Sequence, residues 1–198
     1  MHVIVTCASC SVTVALGVCA ATMGVTGLWD VLRPAAASKS FTAVSVEGFA
    51  RSREWRAFRI GIDASIWFVH ATYGQKGENP ELRTLFFRLA RLLKLPFLPL
   101  FVFDGPMRPD VKRGKSINKQ PHWMIEGMKT IVEAFGFEWR TVRILAVVFD
   151  IDLIHSKAPG EAEAELAYLN RIGVIDAVLS DDVDTLVFGA RMIILKWV

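Results

Sequence analysis

Apolar side chains recur at helical spacing in three parts of the chain. The clearest pattern covers residues 81–95, where an apolar side chain returns every three or four positions and Pro96 ends the run. The same spacing predicts helices over residues 122–135 and 161–171. Each of these helices has one apolar face, which must pack against another layer of the fold.

Four short segments before, between and after these helices predict strands, at residues 58–62, 97–103, 137–141 and 177–179. The apolar run at 97–103 is typical of a buried strand, and 177–179 is predicted to lie in the core. Strands that alternate with helices predict an α/β fold, in which a parallel sheet is flanked by helices on both faces. Hydrophobic residues make up 53% of the 198 positions and charged residues 22%, a composition that excludes a disordered chain.

The first 29 residues contain no Asp, Glu, Lys or Arg. Three interpretations stay open for residues 1–22: an artefact of gene prediction ahead of a start at Met23, a disordered or targeting tail, or a membrane segment. A signal peptide has Lys or Arg ahead of its apolar run, and this segment has none. Thr, Ser and Gly interrupt the apolar run, which argues against a membrane span. All three cysteines also lie here, so no disulfide framework holds the fold, and the isolated CxxC spacing of Cys7 and Cys10 is only a weak indication of metal binding.

Acidic side chains follow the predicted strands at the ends where open parallel sheets bind their ligands. Acids that converge raise one another's pKa unless a counter-charge is present. A hard divalent cation such as Mg²⁺ supplies that charge through oxygen ligands, and two such ions about 4 Å apart could activate a water and stabilise the leaving oxygen of a phosphodiester. The acids concerned are Asp63, Asp104, Glu161, Glu163, Glu165, Asp182 and Asp184.

Each of these acids also has an ordinary structural interpretation. Asp63 and Asp104 precede small or turn-forming residues and could be helix caps or turn formers. Glu161 and Glu163 could favour the positive end of a helix dipole. Because residues two apart do not face the same way on a regular helix, these two could share a site only through irregular backbone or a bridging water.

A basic segment follows directly after Asp104. Residues 107–119 contain five cations and one anion, so this segment has a charge of +4 whereas the whole chain has +3. Pro109 and Gly114 favour a loop or a mobile arch here. Such a run is usually a solvated loop, but cations beside metal-binding acids suit a phosphodiester backbone.

Five short motifs stand in order along the chain. They are residues 23–29 (MGVTGLW), 62–65 (IDAS), 102–105 (VFDG), 158–164 (APGEAEA) and 180–184 (SDDVD). Together they resemble the XPG/flap-endonuclease family of structure-specific nucleases. Residues 103–109 (FDGPMRP) and Gly160 are most similar to the Holliday-junction resolvase branch of that family.

The resemblance implies a PIN-like α/β nuclease that uses two Mg²⁺ ions to hydrolyse branched DNA, at a Holliday junction or a flap, in repair or recombination. By motif position it implies metal ligands and catalytic residues at Asp63, Asp104, Glu161, Glu163, Asp182 and Asp184. It implies DNA contacts from the Met-Gly start and the basic arch, at Gly24, Arg108, Lys112, Arg113, Lys115 and Lys119.

The resemblance also has implications for how a junction is opened, for the cellular location and for the oligomeric state. Residues 66–73 would lie in the wedge that splits a junction, although core packing is the favoured interpretation for Phe68. The resemblance also implies a nuclear location, no stable membrane partner, and compatibility with a dimer on a junction substrate.

The chain departs from the family pattern in three places. Residues 1–22 form an extension ahead of the family's start. Residues 142–157 separate the XPG N-terminal region (23–141) from the XPG internal region (158–198). A Val codon begins with GT and a Lys codon can end with AG, so a retained intron is the leading explanation. The family's last acidic ligand and its helix-two-turn-helix DNA-binding element are expected beyond Val198.

Two other functions share parts of this pattern. A PIN-type ribonuclease would use the same acids, although the basic arch and the Met-Gly start favour DNA. A truncated nucleic-acid-binding fragment without turnover is the other alternative.

Overall fold

The computed structural model describes eight parts of the chain. They are residues 2–6, 27–52, 55–73, 77–106, 111–112, 115–116, 122–142 and 160–195, with the backbone alone at 2–6, 29, 111–112 and 115–116.

Nine strands and seven α-helices are present in these parts. The strands are β1 (His2–Thr6), β2 (Ala36–Lys39), β3 (Arg59–Asp63), β4 (Leu98–Phe103), β5 (Val111–Lys112), β6 (Lys115–Ser116), β7 (Glu138–Thr141), β8 (Ala177–Leu179) and β9 (Met192–Leu195). The helices are α1 (Leu28–Leu32), α2 (Phe41–Arg51), α3 (Ala64–Ala71), α4 (Pro80–Leu92), α5 (Met124–Ala134), α6 (Ala162–Arg171) and α7 (Asp184–Val187), and a 3₁₀ turn covers Arg33–Ala35.

The main sheet has the strand order β2-β1-β9-β8-β3-β4-β7. Its five strands from β9 to β7 are parallel, and β1 pairs antiparallel with both β9 and β2. This confirms the predicted parallel α/β sheet, and all four predicted strands and all three predicted helices are present within three residues of their predicted ends. The structure adds β9, β2, α2 and α3 to the prediction, and it places residues 2–6 of the predicted extension in the sheet.

The sheet separates two hydrophobic layers, and strand alternation decides which residues enter each. Phe101 and Phe103 of β4 point into the layer formed with α3, α4 and α5, whereas Leu100 and Val102 point into the layer formed with α6. The α6 layer comes very close to the central strand. A Cβ atom at Gly61 would overlap the ends of the Leu166 and Ile175 side chains, which would have to shift to admit it, so glycine suits this close approach.

Helix α4 buries one face, as the helical spacing of its apolar residues predicted. Leu85, Leu89 and Leu92 lie one turn apart and are fully buried, while Phe86 and Phe87 on the other side are exposed. None of the helices in the described residues is both long and apolar enough to cross a lipid bilayer.

Asp176 links the amino ends of two neighbouring strands. Its carboxylate accepts two hydrogen bonds from the Arg56 guanidinium, at 2.7 and 2.8 Å, and one from the Arg59 backbone N–H at 2.7 Å. A planar guanidinium that donates twice to one carboxylate fixes both groups in orientation. Asp176 therefore holds the segment before β8 against the start of β3, at the end of the sheet opposite the acids.

We expect the substitution Asp176→Ala to lower the free energy of unfolding by about 2 kcal/mol, because it leaves a partly buried guanidinium and a backbone N–H without their acceptor. The control is Glu138→Ala, which removes the exposed partner of Arg59, 2.6 Å away, and should cost less than about 0.5 kcal/mol. Urea unfolding measures both values. Equal losses in the two variants would contradict the proposed role of Asp176.

Candidate metal centre and nucleic-acid interface

Three neighbouring strands deliver the predicted acids to one edge of the sheet. Asp63 is the last residue of β3, Asp104 follows β4 directly, and Asp182 follows β8 after a short turn. Strand β3 lies between β8 and β4, and Asp63 pairs in register with Val102. The carboxyl ends of these parallel strands therefore meet at the same edge, as the sequence predicted.

The start of α6 is linked to the end of β4. The Ala162 N–H donates to Asp104 Oδ1 at 3.0 Å, and the Gly105 N–H donates to the Gly160 carbonyl at 2.8 Å. Glu161 is the N-cap of α6 and has extended backbone, with φ −89° and ψ 135°. This is the irregular backbone that Glu161 and Glu163 would need to serve one site.

Asp63 combines a capping role with a place at the candidate site. Its Oδ1 accepts hydrogen bonds from the Ser65 N–H at 2.8 Å and from the Ser65 hydroxyl at 2.5 Å, so it caps α3. At the same time only 2% of Asp63 is exposed. The capping interpretation is confirmed, and it fixes this carboxylate at the sheet edge without excluding a metal-binding role.

The turn after β8 is held by its own side chains. Asp182 Oδ1 accepts from the Asp184 N–H at 2.9 Å, and the Asp182 N–H donates to Ser180 Oγ at 3.2 Å. The Thr185 hydroxyl donates to the Asp182 carbonyl at 3.0 Å. These bonds keep Asp182 and Asp184 buried in a compact turn at the start of α7, which argues against the surface-turn interpretation.

Four of the six predicted ligands are buried at this edge: Asp63, Glu161, Asp182 and Asp184. Buried carboxylates are costly without a counter-charge, and an all-oxygen donor set suits a hard divalent cation. As they stand, however, the described residues include no group of three His, Cys, Asp or Glu side chains that could hold a metal ion. The chemistry of the donors fits a divalent ion, and the ligand set stays a prediction.

A second polar cluster, which the sequence did not predict, lies beside the turn that contains Asp182 and Asp184. His70 Nε2 on α3 lies 3.0 Å from Asp181 Oδ2. Arg88 on α4 lies over the Trp67 ring, 5.8 Å from its centroid. Burial lowers the pKa of the Arg88 guanidinium, and the charge of Asp181 partly offsets this effect. His70 and Arg88 are far from Asp181 in sequence, and no local pattern indicated that they meet.

Glu165 lies on the first turn of α6, outside the motif positions that match metal ligands. Its carboxylate is 3.4 Å from the Arg140 guanidinium of β7. Burial raises the pKa of Glu165 above its usual value, although the charge of Arg140 opposes this shift. The pair connects α6 to the edge strand of the sheet.

The predicted DNA-binding residues are described only in part. Lys112 and Lys115 lie opposite each other in the small antiparallel ribbon formed by β5 and β6, which follows Asp104 in the chain. Gly24, Arg108, Arg113 and Lys119 lie outside the described residues. In the predicted wedge, Phe68 is 6% exposed and belongs to the core, as expected, while Val69 and Tyr73 are exposed.

Two family descriptions match the chain. The XPG N-terminal domain matches residues 23–122, and the XPG I-region matches residues 153–198. The chain belongs to the XPG family. The I-region match begins inside residues 142–157, and the insert and the other predicted domain boundaries stay predictions.

Relatives of this XPG chain include proteins named as flap endonucleases. It is 33% identical over 186 residues to the Flap endonuclease GEN-like 1 of Arabidopsis thaliana, a match that covers 87% of the chain and 29% of the relative. The chain therefore spans less than a third of the length of this curated relative.

Two solved structures of DNA-bound nucleases resemble this chain. The crystal structure of the Holliday junction-resolving enzyme GEN1 in complex with product DNA and Mg²⁺ has a TM-score of 0.64 and 33% identity, covering 87% of this chain and 36% of that one. The catalytic core of Rad2 in complex with a DNA substrate has a TM-score of 0.58 and 27% identity, covering 82% of this chain and 46% of that one.

Two glutamates should shift the pH dependence of stability in opposite directions. The pKa of Glu165 is raised in the fold, so its ionisation destabilises the protein as the pH rises above the usual value of 4.5. Glu165→Gln should therefore be more stable than the parent at about pH 7.5 and equal to it well below the usual pKa, as measured by urea unfolding.

Glu47 is the matched control. A hydrogen bond from Lys39 lowers the pKa of Glu47, so its ionisation stabilises the fold above pH 4.5 and this contribution is lost as the pH falls. Glu47→Gln should be slightly less stable than the parent at neutral pH. A Glu165→Gln variant that loses stability at neutral pH would show that the attraction of Arg140 outweighs the burial of Glu165.

Proposed function

We propose that this XPG protein is a Mg²⁺-dependent, structure-specific endonuclease that hydrolyses phosphodiesters at branched DNA, a Holliday junction or a flap. The observation that carries the proposal is the delivery of acids from the ends of β3, β4 and β8 and from the start of α6 to one sheet edge, where those that follow β3 and β8 and the first of α6 are buried. The named structural neighbours in complex with DNA and with Mg²⁺ support this choice of substrate and metal.

The chain offers an all-carboxylate donor set for two divalent ions. The residues that would hold them, directly or through water, are Asp63, Asp104, Glu161, Glu163, Asp182 and Asp184. When bound, such ions neutralise the acids, polarise the phosphodiester and lower the pKa of a water. The cap of α3 at Asp63 and the Ala162 N–H bond to Asp104 orient two of the carboxylates before any ion is bound.

The basic segment that follows Asp104 in the chain would bring DNA to these acids. Its five cations, at Arg108, Lys112, Arg113, Lys115 and Lys119, would contact phosphates, which positions a substrate without reading its sequence. The backbone near Gly24 would lie close to the DNA as well. A nuclear location and a dimer on a junction substrate form part of the same proposal.

A nucleic-acid-binding fragment without turnover is the second candidate. A PIN-type ribonuclease, which would share the acids, is the enzyme alternative.

Asp104→Asn should reduce cleavage of a four-way DNA junction or a 5′-flap in Mg²⁺ by at least about 100-fold while DNA binding remains, because a neutral amide would hold a divalent ion more weakly than the carboxylate does. Glu126→Gln, an exposed acid on α5 paired with Lys129, is the control and should cleave like the parent. Parallel reactions with single-stranded RNA test the ribonuclease alternative. A parent chain that binds junctions but cleaves none of these substrates would establish the fragment interpretation.

Mg²⁺ should also stabilise the parent fold. Binding at 100 times the dissociation constant adds about 2.7 kcal/mol, which raises the unfolding temperature of a domain of this size by about 5–10 °C. Asp182→Asn should lose most of this shift but be at least as stable as the parent in EDTA, because it relieves repulsion among buried acids. An unchanged Mg²⁺ shift in Asp182→Asn, measured by thermal unfolding, would remove this residue from the metal site.

A further inference from the structure

A column of neighbouring rings runs from the core to the surface next to the candidate metal centre. Phe103, the residue before Asp104, lies 6.2 Å from Phe68 between ring centroids, with the two rings tilted by 38°. His122 stacks on Phe68 at 4.9 Å with only 5° between the ring planes, and Trp123 stacks beyond His122 at 6.1 Å and 26°. The column therefore begins at the sheet edge that carries the acids.

The outer end of the column is open to solvent. Trp123 is 62% exposed, although an indole of this size would normally be covered in a soluble domain. His122 is also exposed, and its Nδ1 accepts a hydrogen bond from the Met124 N–H at 3.3 Å, which fixes the imidazole at the start of α5. The inner rings are buried, so they give the exposed pair a rigid base.

The charge beside the column favours a nucleic acid as its occupant. The basic segment of residues 107–119, with its charge of +4, ends only three residues before His122. Lys119 at the end of that segment is four positions from Trp123, so the two residues are at most about 14 Å apart along the chain, and a strand whose phosphates contact Lys119 would have bases within reach of the indole. Stacking of a base on an aromatic side chain contributes about 1–3 kcal/mol and tolerates any base, because every base has a π face.

We propose that Trp123, supported by His122 and Phe68, is a stacking site for an unpaired nucleobase of the DNA substrate. This inference rests on the proposed function for the nature of the ligand, and it adds a base-binding site to the acids and the basic segment. The site would distinguish DNA with an unpaired arm from fully paired DNA without reading its sequence.

Trp55 provides a matched control on the same chain. It is 72% exposed, but it meets Phe49 edge-on at 67° and precedes β3, at the opposite end of the sheet from the acids. A general effect of removing an exposed indole should therefore be equal at Trp55 and Trp123, whereas a stacking site should respond only at Trp123.

The experiment measures binding of three labelled DNAs by fluorescence anisotropy, with Ca²⁺ in place of Mg²⁺ to limit cleavage. The first DNA carries a 5′-arm of unpaired thymidines, the second carries the same arm with abasic sites, and the third is a fully paired nicked duplex of equal length. The abasic arm keeps the phosphates and removes the bases, so it separates stacking from charge.

We expect Trp123→Ala to weaken binding of the thymidine arm about tenfold and to leave the abasic arm and the nicked duplex within about twofold of the parent. Trp123→Phe should keep most of the affinity, because a phenyl ring still stacks. Trp55→Ala should leave all three affinities within about twofold. Thermal unfolding of each variant shows that the exposed substitution has not altered the fold.

Equal weakening of all three DNAs by Trp123→Ala, or no weakening of any, would overturn the stacking site. If the parent still cleaves branched DNA in either case, the proposed function stands without it. Conversely, a parent that discriminates the thymidine arm through Trp123 but cleaves no DNA keeps the stacking site and overturns the proposed endonuclease. A parent that binds none of the three DNAs overturns both.

Discussion

The burial of several carboxylates at one edge of a parallel sheet is the constraint around which this structure is organised. Removing such groups from water is costly, and the fold offsets the cost in part with nearby donors. A serine hydroxyl and two backbone N–H groups donate to Asp63 and Asp104, and the Asp184 N–H donates to Asp182. What remains is a negatively charged edge that a divalent cation complements in charge and in ligand type.

The close approach of α6 to the sheet allows Glu161 and the Ala162 N–H to lie beside Asp104 at this edge. Gly61 on the central strand leaves room for Leu166 and Ile175, so α6 lies directly on the sheet. The first N–H of α6, that of Ala162, then donates to Asp104, and Glu161 adopts extended backbone at the cap. A small residue in the middle of β3 therefore acts on the site through packing rather than through any contact with the acids.

Much of the fold could be predicted because the relevant signals are local. Strand β4 is an almost continuous apolar run, and α4 has the one-sided pattern of a helix that packs on a sheet. Helix α3 was missed because Ile66 and Val69 are apolar as well as the buried Trp67 and Phe68, so its sequence lacks the polar face that marks an amphipathic helix. Strand β9 has only four residues, and its place between β8 and β1 is visible only in the folded sheet.

The candidate site was predictable to the level of strand ends, but not to the level of side-chain contacts. Acids that follow strands must share an edge once the sheet is parallel, and this needs no knowledge of the loops. The contacts of His70 with Asp181 and of Arg140 with Glu165 join elements that are remote in the chain, so only the folded structure reveals them. The stacking of His122 on Phe68 belongs to the same class.

The two hydrogen bonds between residues 104–105 and 160–162 join the parts of the chain on either side of a long connection. Because these bonds set the relative position of β4 and α6 directly, this edge of the sheet depends little on how many residues the connection contains. For a flexible loop, doubling the length costs only about 0.6 kcal/mol in closure entropy. Sequence between the two halves can thus be gained or lost during evolution, or by altered splicing, without separating the end of β4 from the start of α6.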